Sequence, residues 1–173
     1  MANFTFLYFV EPNYYKEALL GFTNTILGYC NKIVYISLNR TYKNVKRVIA
    51  EKGLDAGKFY FVDGISKAFF PDEASKEAVL LSFPLDLKEL ERVISGFVNN
   101  NEVDGLIFDS VTNLTIYEKQ DEVLKFFGRL TAQLGDKMVI SLFVASTKDK
   151  HSKLCEYLAT CVDSTKEIVD EVK

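Results

Sequence analysis

Five short apolar runs, each too hydrophobic to tolerate a solvent face, dictate what this chain can fold into. Residues 4–10 read FTFLYFV, 32–38 KIVYISL, 58–62 KFYFV, 105–108 GLIF and 138–145 MVISLFVA. A strand that is apolar at consecutive positions must be covered on both faces. Between these runs, apolar residues recur at helical spacing. Tyr15, Ala18, Leu19, Phe22 and Ile26 form one stripe, and Val45, Val48 and Ile49 a second. Leu87, Leu90, Ile94, Phe97 and Val98 form a third; Val123, Phe126, Phe127, Leu130 and Leu134 a fourth, ending near Gly135; Leu154, Tyr157 and Leu158 a fifth. Thr41 reads as an N-cap and Gly53 as a stop for the second helix, and Asp86 with Glu89 as a capping box for the third. A short sixth strand is expected at 160–162 and a last helical turn at Ile168 and Val169. Residues 64–84 are the least regular stretch, expected to hold a long connection with a short helix around 76–80. Strands alternating with helices require βαβ crossovers, hence an α/β fold with a mostly parallel sheet and helices on both faces. The 173 residues suit a single domain spanning 1–173.

Composition narrows the chemistry. The chain has one histidine, His151, so zinc sites that need two are excluded, and any Ser-His or Cys-His pair must use it. Cys155 follows His151 by four residues, so one helix could present both, but no third orienting group is evident. Cys30, Cys155 and Cys161 are an odd, widely spaced set, as in a reducing compartment rather than a disulfide scaffold. A formal net charge of −3 gives no support to a basic nucleic-acid-binding face. The first ten residues are apolar but lack a basic start and are too short for a membrane span. A cytoplasmic location is expected.

Parallel sheets place their sites beyond the carboxyl ends of the strands. Those ends are 11–17, Asn39 and Arg40, Asp63 and Gly64, Asp109 and Ser110, and Ser146 and Thr147. The segments there, read in order, resemble the KaiC-like branch of the RecA superfamily of ATPases, an archaeal and bacterial group. The first strand leads into Val10-Glu11-Pro12-Asn13-Tyr14-Tyr15-Lys16-Glu17, in the place of that family's phosphate loop. The second strand ends Tyr35-Ile36-Ser37-Leu38-Asn39-Arg40. The third reads Phe59-Tyr60-Phe61-Val62-Asp63, and a strand similar to the Walker B strand reads Leu106-Ile107-Phe108-Asp109-Ser110. The resemblance covers nearly the whole chain. It implies a RecA-like three-layer sandwich with strand order 6-1-5-4-2-3, and assembly into oligomers through the faces beside the nucleotide site.

The departures from that family carry the functional expectation. The phosphate loop pattern is G-x-x-x-x-G-K-[ST], whose glycines allow backbone N–H groups to approach phosphates. Val10 and Tyr15 stand at its two glycines, and Asn13 at the branch's further one. Glu17 replaces the magnesium-binding hydroxyl, and Asn39-Arg40 the catalytic glutamate. An amide cannot act as general base toward water. Lys16 and Asp109 alone match the family's machinery. The vestigial nucleotide site therefore comprises Asn13, Tyr14, Tyr15, Lys16, Glu17, Asn39, Asp109 and Ser110, with no catalytic residue. No metal site is expected, Asp109 becoming a ligand only if a nucleotide binds, and no cofactor, ATP and magnesium included.

Each residue also has a plainer role. Lys16 can be a solvated lysine, and Asp109 a carboxylate that caps backbone N–H groups or pairs with Lys16. Asn13 fits an N-cap for a collapsed loop, with Tyr15 joining its helix's buried stripe and Tyr14 either stacking or anchoring a partner. Phe69 and Phe70 are either a partner-docking knob or a loop folded over the sheet edge. The expected function is that of an inactive ATPase homologue, a pseudo-ATPase serving as a protein-interaction or regulatory module. Its partner would be itself or a related ATPase. Two alternatives are a nucleotide sensor without hydrolysis, and an accessory protein of DNA recombination or repair. An enzyme of unrelated chemistry using Asp63, Asp109 or His151 is the weakest reading.

Overall fold

A computed structural model describes residues 5–169. Seven strands form one sheet: β1 (Thr5–Val10), β2 (Ile33–Ser37), β3 (Phe59–Asp63), β4 (Ala78–Leu80), β5 (Gly105–Asp109), β6 (Ile140–Ser146) and β7 (Ser164–Ile168). Their order is β4-β3-β2-β5-β6-β1-β7, and every pair is parallel. The expected six-strand order is present, extended by β4 at one edge.

Six helices connect the strands: α1 (Tyr15–Leu27), α2 (Tyr42–Glu51), the single turn α3 (Ser66–Phe69), α4 (Leu87–Asn99), α5 (Gln120–Asp136) and α6 (Lys153–Cys161). The apolar stripes bury as their spacing requires, except that Tyr15 and Phe97 are half-buried and Tyr157 is exposed. One core joins Leu7, Phe9, Ile36 and Phe108 of the sheet to α4, α5 and α6. The other joins Tyr35, Phe61, Ile107 and Val144 to α1 and α2. Alternate residues of each strand thus feed opposite layers, which is why the runs are apolar at every position. Phe108, Phe126, Phe127 and Phe143 form the aromatic centre of the first layer, with ring centroids 5.0–6.2 Å apart.

Several local signals behave as expected. Thr41 accepts from Asn44 N at 3.4 Å, and Gly53 adopts φ +71° to end α2. Asp86 caps α4 through Lys88 N at 2.9 Å, but Glu89 reaches Ser82 rather than closing the box. Four expectations are corrected. Residues 78–80 are strand, not helix, because β3 offers an open edge and pairs them; the short helix falls earlier, at α3. Residues 160 and 161 complete α6, and the last strand begins at Ser164, bringing Ile168 into the sheet opposite Val10. The fifth run enters the sheet at Ile140, since Met138 takes φ +54° to turn the chain out of α5, which runs one residue past Gly135. Asn13 is no N-cap. A 3-10 turn over Pro12–Tyr14 begins after Glu11 and runs straight into α1, with no side-chain cap at either start.

Candidate functional site at the carboxyl edge of the sheet

Three strand ends bring the expected site residues to one edge. β1 and α1 supply Tyr14, Tyr15, Lys16 and Glu17, β2 supplies Asn39 and Arg40, and β5 supplies Asp109 and Ser110. Asp109 lies opposite Ser37 in the β2–β5 register, on the face that carries α1 and α2. It is fully buried.

Asp109 is held by two side chains. Tyr35 Oη donates to its Oδ2 at 2.6 Å, and Asn39 Nδ2 donates to its Oδ1 at 3.2 Å. Burial pushes the Asp109 carboxyl up to about 8. Among the described residues no lysine or arginine lies within ion-pair distance to oppose this, so the pairing with Lys16, one of the two plainer roles open to Asp109, does not form. Burial also raises the Tyr35 phenol, while nearby Arg40 pulls it down.

Asn39 bridges further, its Nδ2 reaching Tyr15 Oη at 3.4 Å. The Arg40 guanidinium stacks on the Tyr15 ring at 4.9 Å from its centroid. Such cation–π stacking is worth about 0.5–1 kcal/mol at exposed sites and more when desolvated. Tyr15 is therefore half-buried, partner to Asn39 and Arg40, rather than a full member of the buried stripe. The turn at Ser37, where Ser37 Oγ donates to Arg40 O at 2.6 Å, sets both residues over α1. Asn113 Nδ2 ties the same loop from the other side by donating to Leu38 O at 2.8 Å.

Between Val10 and Glu17 no residue has positive φ; among the described residues only Gly53, Asn101 and Met138 do. Lys16 and Glu17 are exposed on the first turn of α1. The Asp109–Ser110 peptide is cis, and Ser110 Oγ shares a hydrogen bond with Thr112 Oγ1 at 3.2 Å, which in turn donates to Asp149 at 3.1 Å.

Other candidates lie apart. Asp63 is buried and fully used as a structural acceptor for Tyr42 N, Ile65 N, Ser66 N and Ser66 Oγ at 2.7–2.8 Å. His151 is exposed, and Cys155 is buried, its thiol pushed up chiefly by burial. No cluster of three metal-ligating side chains occurs among the described residues. Phe69 and Phe70 are exposed at 68% and 61%, beside a cleft walled by Lys43 and Glu73. Among the described residues no helix is long and apolar enough to cross a membrane.

Tyr35 is the residue that sequence reasoning missed. A tyrosine inside a strand covered on both faces must find a partner for its hydroxyl. That requirement was the available signal, and Asp109 is the partner.

The comparison with curated proteins finds no match. Among solved structures the chain is similar to a KaiC-like protein from the hyperthermophilic archaeon Pyrococcus horikoshii. The TM-score is 0.64 at 12% identity, covering 98% of this chain and 74% of that one. At this identity the likeness speaks for the fold, an α/β sandwich of RecA type. The family profile described as ATPase, KaiC, matches residues 21–166, from within α1 to β7. Over most of its length, then, the chain that builds this sheet and this edge belongs to the KaiC ATPase family.

Proposed function

We propose that this chain is a non-catalytic member of the KaiC family that works as a protein-interaction or regulatory module, without ATP or magnesium. One observation carries the reading. The carboxyl edge is filled by the chain's own side chains, Arg40 stacked on Tyr15 and Asn39 bridging Tyr15 to Asp109. A phosphate cradle needs backbone N–H groups turned inward, which glycine permits and a helical Tyr15 at φ −62° does not supply. Glu17 adds a negative charge beside any phosphate held at Lys16, and no carboxylate follows β2 to activate water. Asp109, held neutral below about pH 8, is a poor ligand for magnesium. These features argue together against turnover. The partner is a second copy or a related ATPase, met in the cytoplasm, with the exposed Phe69 and Phe70 available as anchors.

Isothermal calorimetry with Mg-ATP, paired with a phosphate-release assay, tests the reading. No heat of binding and no turnover are expected. Saturable binding lost in Lys16→Ala would replace it with a nucleotide sensor, and phosphate release above a buffer blank would refute it outright.

A further inference from the structure

The two faces of the sheet are covered unequally. Seven strands at about 4.8 Å spacing make a sheet roughly 29 Å wide. Helices packed side by side sit about 8–10 Å apart, so three are needed to cover a face. One face has three, α4, α5 and α6. The other has two, α1 and α2. The shortfall lies at one end, over β6, β1 and β7, where a groove of about 780 Å³ runs beside α1.

The groove's floor is sheet. Phe6 and Tyr8 of β1, Leu142 of β6 and Ile168 of β7 point into it. Phe6, Tyr8 and Ile168 are only partly buried, although each belongs to the layer that α1 begins to cover. Its wall is α1, which presents Ala18, Gly21 and Thr25, with Tyr14 of the preceding 3-10 turn at one end. A Cβ placed on Gly21 meets nothing within 4 Å, so the wall is open at its middle. Along the 13 residues of α1 the wall runs about 20 Å, the length of a helix of three to four turns.

Two charges border this apolar floor. Lys166 stands on β7 opposite Tyr8, and Glu17 near the Tyr14 end. Neither has a hydrogen bond or ion pair among the described residues. By contrast, Glu167, on the opposite face of the same strand, is bonded by Lys150 at 2.5 Å.

We propose that this groove is a docking site for an amphipathic helix of another protein. Its apolar stripe would lie on Phe6, Tyr8, Leu142 and Ile168, with an acidic side chain meeting Lys166 and a basic one meeting Glu17. Such a helix completes the third position of the half-covered face. Its close approach to α1 is set by Gly21, and its orientation by the two opposite charges. Helix-in-groove recognition reads partners through anchors at helical spacing. The site gives the interaction role proposed above a surface and a partner class, and it rests on that role for its biological sense.

The test is a displayed library of 18-residue helices with a fixed heptad-spaced Leu/Ile stripe and two flanking positions varied among Asp, Glu, Lys, Arg and Ser. Selected peptides are then synthesised and their affinities measured by fluorescence anisotropy on the full chain. Binders are expected to carry an acidic residue at one flank. Gly21→Leu, which fills the point of closest approach without strain in α1, should weaken them at least tenfold while leaving the melting temperature unchanged or raised. Lys166→Glu should reverse the preference to a basic flank, again by at least tenfold. Failure to enrich any helix, or binders indifferent to both variants, overturns the proposal. So does a dimer on light scattering that Gly21→Leu abolishes, which would give the groove to a second copy. Because the readout is peptide binding, this proposal can fail while the nucleotide measurements stand, and the reverse.

Discussion

Replacing Asp109 by asparagine should make the protein more stable at alkaline pH, although it removes a carboxyl from the best-ordered part of the site. The carboxyl is fully buried and accepts from Tyr35 and Asn39, and among the described residues no cation lies within ion-pair distance of it. Burial raises its pKa from an ordinary 3.8 to about 8. A folded-state pKa above the unfolded one means that the folded chain holds a proton which the unfolded chain releases between roughly pH 4 and pH 8. Stability contributed by that proton is fully present below pH 4 and is lost as pH rises through 8. Each pH unit in that window costs about 1.4 kcal/mol. Between pH 5 and 7 the single group therefore removes roughly 2–3 kcal/mol, and over the whole window on the order of 5 kcal/mol. Against a total stability of about 5–15 kcal/mol for a domain, this is a large share.

In Asp109→Asn the amide stays neutral at every pH. Its oxygen can still accept from Asn39, and its NH₂ can donate to Tyr35 Oη, so the geometry needs no repair. Urea unfolding at pH 5, 7 and 9 supplies the readout, followed by far-UV circular dichroism because the chain has no tryptophan. Taking the difference between parent and variant cancels the titration of groups common to both chains. The variant's lead over its parent should grow by roughly 2–3 kcal/mol between pH 5 and pH 7, and by more again at pH 9. A difference that stays flat from pH 5 to 9, or a variant weaker than its parent at pH 9, would refute the reasoning.

Two further predictions come from the two cores. Thr23 of α1 is fully buried and its hydroxyl has no partner among the described residues. Thr23→Val should therefore stabilise by about 1–3 kcal/mol, read as a higher urea midpoint at unchanged m-value. Burial, reinforced by Asp104, pushes the Cys30 thiol up to about 12, and burial also raises Cys155, whereas Cys161 is half-exposed. Ellman's reagent at pH 8 should label one thiol per native chain quickly and three in urea; rapid native labelling of two or more would contradict the packing described.

How much of this was legible depended on whether a feature is written locally. The central strands and the apolar stripes were readable because burial on two faces forces an apolar residue at every strand position, whatever the neighbours are. Elements at the margins were not, because a partner decides them. Residues 78–80 form a strand because β3 has a free edge. The last strand starts later than its sequence suggests because Asp163 turns back to accept from Thr5 N and Oγ1 at 2.9 and 2.7 Å, fixing the register with β1. The same division runs through the site. That no glycine lies between Val10 and Glu17 is a local fact; that the segment has no positive φ and runs straight into α1 is seen only in the fold. What occupies the edge instead depends on β2 and β5 lying side by side, which brings Tyr35 and Asn39 to Asp109 from 74 and 70 residues away in sequence. The uncovered end of the α1 face belongs to this second kind. Phe6, Tyr8 and Leu142 each read as ordinary buried strand residues and Ile168 as part of a last helical turn, and only a count of helices against strands reveals that one layer stops short of them. Apolar patterning thus states which faces require cover, and the topology decides whether this chain supplies it.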